Sequence, residues 1–186
     1  DGDKTLIVFD QPPDLRGTAL LTYTHKTEPD DQWLYLPALK RAKRISSADK
    51  SGPFMGSEFA FEDLSSPEVE KYHYKYLREE ILGDVPHFVI ERVPVDDKSG
   101  YTRQIVWVDR EYRTRKIEYY DRKNSLLKTM VAEGYQLYLD RFWRADKTTM
   151  DNHQTGKATT LEYQGYRFSQ GLTELDFTRE ALTRAR

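Results

Sequence analysis

Short segments rich in β-branched and aromatic residues recur along this chain, with turn residues between them. Such segments form strands, because these side chains pack well on a pleated, half-buried surface. The pattern predicts a mainly β protein with about ten strands. They cover residues 6–9, 16–26, 32–36, 40–46, 72–80, 88–93, 102–109, 115–120, 126–133, 142–150 and 158–168.

The segments between these strands are mostly short, which favours antiparallel neighbours joined by hairpins. Residues 16–26 and 32–36 form one predicted hairpin, and the second half of the chain a meander. Helix is scarce: we expect only short turns at residues 63–70 and 172–177, the latter with Thr173 as its N-cap. Residues 47–66 form a long irregular segment, a kind that is often functional or mobile.

A chain of 186 residues fits one domain, and we expect residues 1–186 to form it. Aromatic residues make up 13% of the chain, and several predicted strands are apolar on both faces. Two architectures explain such strands. Either one face lines an apolar cavity, as in ligand-carrying barrels, or two sheets pack as a sandwich.

Composition removes several classes of function. The net charge of −2 gives no long-range attraction to nucleic acid. The absence of Cys excludes disulfides, thiolate metal sites and cysteine nucleophiles. No apolar run reaches the roughly 18 residues of a membrane-spanning helix. The first residues lack a signal-peptide pattern, as a mature exported chain would.

No catalytic or cofactor motif is recognisable. The four histidines His25, His73, His87 and His153 lie on separate segments without metal-ligand spacing. The glycines near residues 52–57 are not followed by the Lys-Ser/Thr of a phosphate loop. We therefore predict a protein that is not an enzyme, with no metal and no cofactor.

Three features allow both a functional and a structural interpretation. Carboxylates at Glu58, Glu62 and Asp63 lie among aromatics, where burial makes an acid, or else they cap a loop. The bulky apolar residues of 54–64 form either a flap over a pocket or a satellite core. The basic run at 40–44 is either a docking strand or a solvated edge strand protected by its charge.

Three stretches resemble the LolA-like outer-membrane lipoprotein-sorting proteins. They are Asp31-Gln32-Trp33-Leu34-Tyr35-Leu36-Pro37-Ala38-Leu39-Lys40-Arg41, the run 54–64, and the meander 104–135 with Phe142-Trp143 opening the next strand. The run 54–64 is similar to a signature of one uncharacterised branch. The resemblance extends over residues 17–186.

The resemblance implies a single, strongly curved antiparallel sheet that forms a half-open β-barrel, with short helices as a lid. It also implies a periplasmic protein of a Gram-negative bacterium, whose signal peptide has been removed. Its ligand would be the acyl chains of a lipid or lipoprotein, and its partner an inner-membrane transporter of the resistance-nodulation-division type. LolA-like carriers hold the lid with an Arg, for which Arg16, Arg41 and Arg44 remain alternatives here.

The leading hypothesis is thus a non-catalytic lipid carrier without a nucleic-acid partner. Its predicted lipid-binding residues are Trp33, Tyr35, Phe54, Met55, Phe59, Phe61, Ile105, Trp107, Ile117, Tyr119 and Met130. The alternative hypothesis is a scaffold or sensor module that docks on a membrane-bound partner. Its docking residues would be Lys40, Arg41, Lys43 and Arg44.

Overall fold

The computed structural model describes residues 3–46 and 48–184, and this part of the chain is mainly β. Its strands are β1 (Lys4–Val8), β2 (Ala19–Tyr23), β3 (Asp31–Leu36), β4 (Arg41–Ile45), β5 (Tyr72–Leu82), β6 (Val85–Pro94), β7 (Arg103–Val108), β8 (Thr114–Tyr120), β9 (Leu126–Glu133), β10 (Gln136–Tyr138), β11 (Phe142–Arg144), β12 (Lys147–Asn152) and β13 (Lys157–Glu162). Helix is limited to short 3₁₀ turns and one α-helix, α1 (Arg179–Arg184). None of the helices in the described ranges has the length and apolar character needed to cross a membrane.

Backbone hydrogen bonds divide the strands into three antiparallel sheets. The orders are β1-β2-β3-β4, β10-β11 and β13-β12-β9-β8-β7-β6-β5. The predicted mainly β class, the β2–β3 hairpin and the meander are confirmed. The prediction of one continuous sheet is wrong, and none of the three sheets closes on itself within the described residues.

Two compact units result from this division. The first comprises Asp1–Ser51, Phe61–Lys71 and Arg167–Arg186, and the second comprises Gly52–Ala60 and Tyr72–Tyr166. Neither unit is a continuous stretch of chain. A single domain over residues 1–186 stays a prediction.

The core of the first unit lies on one face of its four-stranded sheet. Ala19 and Leu21 on β2 are fully buried, and Trp33 and Tyr35 on β3 pack beside them. The helix α1 covers this face, because its Leu182 is fully buried in the same cluster. Apolar residues at alternate strand positions thus meet one apolar side of a short helix.

The opposite face of the four-stranded sheet is also buried. Leu20 and Thr22 are almost fully inaccessible, and the Gln32 amide donates to the Phe61 carbonyl at 3.0 Å. Phe61 begins a 3₁₀ turn, Phe61–Leu64. Burial on both faces explains why β2 has no polar alternate face of the kind seen in a half-exposed strand.

The short helical turns agree with the sequence in one case and differ in the other. Thr173 caps the turn Glu174–Phe177 through a capping box with Asp176, as predicted. The predicted turn at 63–70 is instead two 3₁₀ turns, Phe61–Leu64 and Val69–Lys71. Pro67 separates them, because the residue before a proline is disfavoured in helical conformation.

One predicted strand is interrupted. The segment 142–150 is divided into β11 and β12, and β11 pairs with β10, which the sequence pattern did not indicate. Leu139 and Asp140 lie in the turn between β10 and β11, and each has a positive φ angle of 51°. A hairpin of three-residue strands is too short for alternation to reveal.

We expect Leu182→Ala to destabilise the protein by about 2–5 kcal/mol, because it leaves a cavity against β2 and β3. The control is Leu175→Ala, since Leu175 is 79% exposed in the preceding turn. Chemical denaturation followed by circular dichroism measures both variants. Equal, small losses in the two variants would contradict the role of α1 in the core.

Candidate functional site

The seven-stranded sheet has two faces of different chemistry, which its register defines. One, here the Met150 face, carries mainly apolar and uncharged side chains. Its members across β6 to β13 include Phe88, Ile90, Arg92, Gln104, Val106, Ile117, Tyr119, Lys128, Met130, Ala132, Thr148, Met150, Asn152, Lys157, Thr159 and Leu161. Val106, Ile117, Tyr119 and Met150 are buried.

The other face, here the Trp107 face, is apolar at its centre but covered by charged side chains. Val89, Ile105 and Trp107 form a buried cluster. The Lys116 ammonium lies 4.2 Å from the Trp107 ring centroid and binds Glu118 at 2.6 Å. An acyl chain on this face would have to displace ion-paired cations, which is unfavourable.

The predicted lipid-binding residues of this unit are therefore divided between the two faces. Ile117, Tyr119 and Met130 lie on the Met150 face, whereas Ile105 and Trp107 lie on the Trp107 face. Because side chains alternate along a strand, these two groups do not line one cavity side by side. The predicted set mixed the faces because it took odd-numbered positions on both β7 and β8, whereas cross-strand pairing joins Val106 to Ile117.

Other predicted lipid-binding residues belong to the first unit. Trp33 and Tyr35 pack in its core, where the Trp33 ring meets Tyr23 edge-on at 5.1 Å. Phe61 is buried in the same unit, with 9% of its surface exposed.

Residues 52–60 form a compact turn in the second unit. Pro53 and Ala60 form an isolated β-bridge, and the Phe54 amide donates to the Phe59 carbonyl at 2.7 Å. Met55 and Gly56 have positive φ angles, 51° and 75°, which reverse the chain. Phe54 and Phe59 are buried and Met55 is half-buried, so the rings of this turn are part of a packed core in the structure.

Glu58 docks this turn on the Met150 face. Its amide donates to the Thr159 hydroxyl at 3.0 Å, and its carboxylate accepts from the Asn152 amide at 2.7 Å. Its carbonyl accepts from the Lys128 ammonium at 2.9 Å. The three partners stand on β13, β12 and β9. Glu58 thus docks the turn through these three contacts. They agree with the loop-capping interpretation rather than with that of an acid catalyst.

Lys128 is buried, although it is a charged residue on a mainly apolar face. Besides its bond to Glu58, its ammonium lies 5.3 Å and 5.4 Å from the Tyr101 and Tyr119 ring centroids. These two rings contact each other at 4.9 Å. Aromatic faces and a carbonyl therefore compensate the lost hydration of the cation. Sequence analysis missed Lys128, Tyr101 and Asn152.

The Met150 face continues beyond the turn to the β5–β6 hairpin. Phe88 and Ile90 are half-buried there. On the same face of β5, Tyr74 and Tyr76 are 48% and 58% exposed, and Ile81 is 71% exposed. The face thus passes from a buried apolar centre to an exposed end where apolar and charged side chains are mixed. There Arg92 lies 4.6 Å from the Tyr72 ring centroid, and Arg110, paired with Glu79, lies 4.5 Å from that of Phe88.

The basic strand β4 lies at the edge of the four-stranded sheet. Arg41 and Lys43 are exposed, and Lys40 precedes them in a left-handed conformation with a φ angle of 47°. Arg44 forms an ion pair with Asp31 on β3. Burial raises the pKa of Asp31, but hydrogen bonds from His25 and Arg44 outweigh it, and the pKa is lowered. Of the three arginines considered as the one that holds the lid, Arg16, Arg41 and Arg44, it is Arg44 that pairs with Asp31.

The histidines are dispersed, as the sequence indicated. His25 contacts Asp31 at 3.1 Å, His87 contacts the Val85 carbonyl at 2.8 Å, and His153 contacts Thr129 at 2.7 Å. In residues 3–46 and 48–184, no three metal-binding side chains cluster.

Known structures resemble this one over nearly the whole chain. A domain from Vibrio parahaemolyticus, named for outer membrane lipoprotein sorting, is 56% identical with a TM-score of 0.97, and the match covers 99% of this chain and 79% of that one. A DUF1329 family protein from Desulfovibrio piger is 30% identical with a TM-score of 0.92, over 96% and 76%. This chain belongs to the family of these two proteins, which are named as an outer membrane lipoprotein-sorting domain and a DUF1329 family protein.

A more distant structure shows the same fold, and a family model matches the sequence. A LolA superfamily protein from Nitrosomonas europaea shares the fold, with 23% identity and a TM-score of 0.78 over 97% of this chain and 78% of that one. A family described as uncharacterised proteins matches residues 1–184. None of the curated proteins matches the sequence. The resemblance predicted from the sequence is confirmed.

We expect Lys128→Met and Asn152→Ala to loosen the turn at 52–60, because each removes one bond to Glu58. Hydrogen exchange measures this directly: the amides of Phe54 and Glu58 should exchange faster, and each variant should lose about 1–3 kcal/mol of stability. Lys157→Met is the matched control, since Lys157 is exposed on the neighbouring strand β13. Unchanged exchange in both variants would show that other contacts hold the turn.

Proposed function

We propose that this protein is a non-catalytic periplasmic carrier that binds the acyl chains of a lipid or lipoprotein on the Met150 face. The observation that supports this proposal is the continuity of that face. Its apolar side chains run from buried Val106 and Met150 through half-buried Ile90 to exposed Tyr76 and Ile81. Exposed apolar surface continuous with a core is typical of a ligand site.

The energetics favour an acyl chain as the ligand. Each buried CH₂ group contributes about 0.8 kcal/mol, so a chain laid along several strands gains binding energy without any polar contact. Met130 and Met150 add adaptable contacts, because methionine side chains adjust to irregular ligands. Strands with an apolar face need no catalytic group or cofactor for this role.

Curvature of the sheet is part of the proposal. The register of the seven-stranded sheet shifts at three places, Tyr76/Arg78, Trp107/Val108 and Tyr119/Tyr120. Such bulges bend strands and increase their twist. We propose that this bending makes the sheet a half-open barrel wall around the ligand, as the resemblance implies.

The turn 52–60 would shelter one end of the ligand. It is docked over the buried part of the Met150 face by Glu58, and its rings Phe54 and Phe59 already occupy apolar space there. In this proposal Met55, Phe54 and Phe59 contact the acyl chain when the turn is displaced. This combines the flap and the satellite-core interpretations, as two states of one segment.

Delivery of the ligand completes the proposed role. The relative from Vibrio parahaemolyticus is named for outer membrane lipoprotein sorting, which supports a periplasmic location and an exchange of cargo between membranes. We propose that the cargo comes from an inner-membrane transporter of the resistance-nodulation-division type. The basic strand β4, with Arg41 and Lys43 exposed, is the proposed docking edge for this partner.

The test places a charge on the proposed ligand face. Tyr76→Asp and Ile90→Asp stand opposite each other on β5 and β6, and each should weaken binding of a fluorescent fatty-acyl probe more than about tenfold, because a charge beside an acyl chain is poorly solvated. Val93→Asp is the control, since Val93 lies on the same strand β6 but on the Trp107 face and is 37% exposed. Fluorescence titration gives the dissociation constants.

Two outcomes contradict the carrier proposal. Either Tyr76→Asp and Ile90→Asp bind the probe as tightly as the parent protein, or Val93→Asp weakens binding equally. Circular dichroism separates these outcomes from unfolding. If instead neither the parent protein nor any variant binds the probe, and Lys43→Glu abolishes capture of a membrane partner, the scaffold hypothesis is favoured.

A further inference from the structure

A cleft of about 500 Å³ lies at the opposite end of the seven-stranded sheet from β5. It lies beside the β10–β11 hairpin and the C-terminal end of β13. It is lined by Gln136, Tyr138, Asp146, Lys147, Glu162, Tyr163, Gln164 and Gly165. Its volume is in the range of small-molecule sites.

Three tyrosine rings stand together at this cleft. Tyr138 and Tyr166 have ring centroids 5.2 Å apart at an angle of 56°, and Tyr163 stacks on Tyr166 at 6.3 Å. The Tyr166 hydroxyl donates to the Ala145 carbonyl at 3.0 Å, which fixes its ring. Tyr163 is 39% exposed, so part of its ring is open to a ligand.

Asp146 is held rigidly beside these rings. Its amide donates to the carbonyls of Glu133 and Gly134, and its carbonyl accepts from the Tyr163 amide at 2.8 Å. The Gln136 side chain donates to its carboxylate at 2.6 Å. Gly134 has a φ angle of 65°, and a Cβ there would lie 3.1 Å from the Asp146 Cβ, so both the backbone conformation and the close approach favour glycine.

The electrostatics of the cleft favour a cation. Asp146 and Glu162 contribute two carboxylates to the lining, and Lys147 contributes one ammonium. Burial and the neighbouring Tyr163 raise the pKa of Tyr166, although the charge of Arg144 acts in the opposite direction. The Lys147 ammonium lies 3.7 Å from the Glu133 carboxylate, and Arg144 binds the Trp143 carbonyl at 2.8 Å. These two cations therefore have partners of their own.

We propose that this cleft binds an organic cation, an ammonium group seated against the rings of Tyr163 and Tyr138 and paired with Asp146. Aromatic faces attract such cations, and a carboxylate fixed by the backbone supplies the countercharge without reorganisation. An inorganic cation is a poorer fit, because the site offers rings where a metal ion requires oxygen ligands. The ammonium group comes either from a free amine or from the headgroup of an aminolipid.

The experiment is a titration of the ¹⁵N-labelled protein, followed by two-dimensional NMR at neutral pH. Ethanolamine and choline are the cationic probes, and ethylene glycol is the neutral probe matched in size to ethanolamine. We expect the amides of Gln136, Asp146 and Tyr163 to shift with both cations and not with ethylene glycol. The absence of shifts with either cation would overturn the proposal.

Variants then test the assigned residues. Tyr163→Leu should weaken binding by about two- to thirtyfold, whereas Tyr163→Phe, which keeps the ring, should bind like the parent protein. Asp146→Asn should also weaken binding, because it removes the negative charge that pairs with the ammonium group. It keeps the shape of the side chain and an oxygen that accepts from Gln136. Asp151→Asn is the control, an exposed carboxylate at the far end of β12. Equal binding in Tyr163→Leu and the control would overturn the assignment.

A third arm separates the two sources of the ammonium group. A short-chain phosphatidylethanolamine that displaces ethanolamine from the cleft, when short-chain phosphatidylglycerol does not, assigns the site to an aminolipid headgroup. Absence of displacement assigns it to free amines. Both results retain the cation site. Because ethanolamine has no acyl chain, this titration is independent of the acyl-chain proposal.

Discussion

The register of the seven-stranded sheet is the constraint on which the remaining structure depends. Backbone pairing aligns Val106 with Ile117, Ile117 with Met130, and Met130 with Met150, so that one face is apolar across four strands. A shift of one residue in β8 would bring the charged Lys116 and Glu118 to that face. The apolar face, the docking of the turn 52–60 and the exposed tyrosines on β5 all follow from this alignment.

The two faces differ in how their apolar side chains are covered, and this difference is the reason for proposing one of them as the ligand surface. On the Trp107 face, long basic side chains lie along the rings and keep their charged ends in ion pairs, as Arg103 does over Tyr120 at 3.5 Å. Such side chains cover apolar area while remaining solvated. Over the centre of the Met150 face, that cover is supplied by the chain itself, through Phe54, Phe59 and Tyr101, whereas basic side chains cover the rings of Tyr72 and Phe88 at its β5–β6 end. A segment of the chain that covers a face can be displaced by a ligand as a whole. Ion-paired side chains are attached to the strands of the face itself and cannot be displaced in this way.

The sequence predicted strands, turns and the meander well, because alternation and turn residues are local signals. Thr173 is such a case, since its capping box spans only three residues. The face on which each side chain lies was harder to predict, because it depends on pairing between strands that are distant in sequence. Ile105 and Ile117 look equivalent in the sequence, and only the pairing of Val106 with Ile117 separates them. Lys128 did leave a signal: it lies two residues before Met130, at a position where alternation demands an apolar side chain.

The polar docking of the turn 52–60 sets how easily it is exchanged. Its hydrogen bonds with Thr159, Asn152 and Lys128 contribute on the order of 1 kcal/mol each, because water replaces them when the turn lifts. The burial of about four CH₂ groups offsets their loss. Exposure of Phe54 and Phe59 is a larger cost, about 1.5–3 kcal/mol for each ring. In the proposed carrier, a ligand would therefore displace the turn at low cost only if its acyl chain kept these rings covered. This requirement favours a long flexible chain over a compact apolar ligand, since a chain can fill the space under the turn and contact both rings at once.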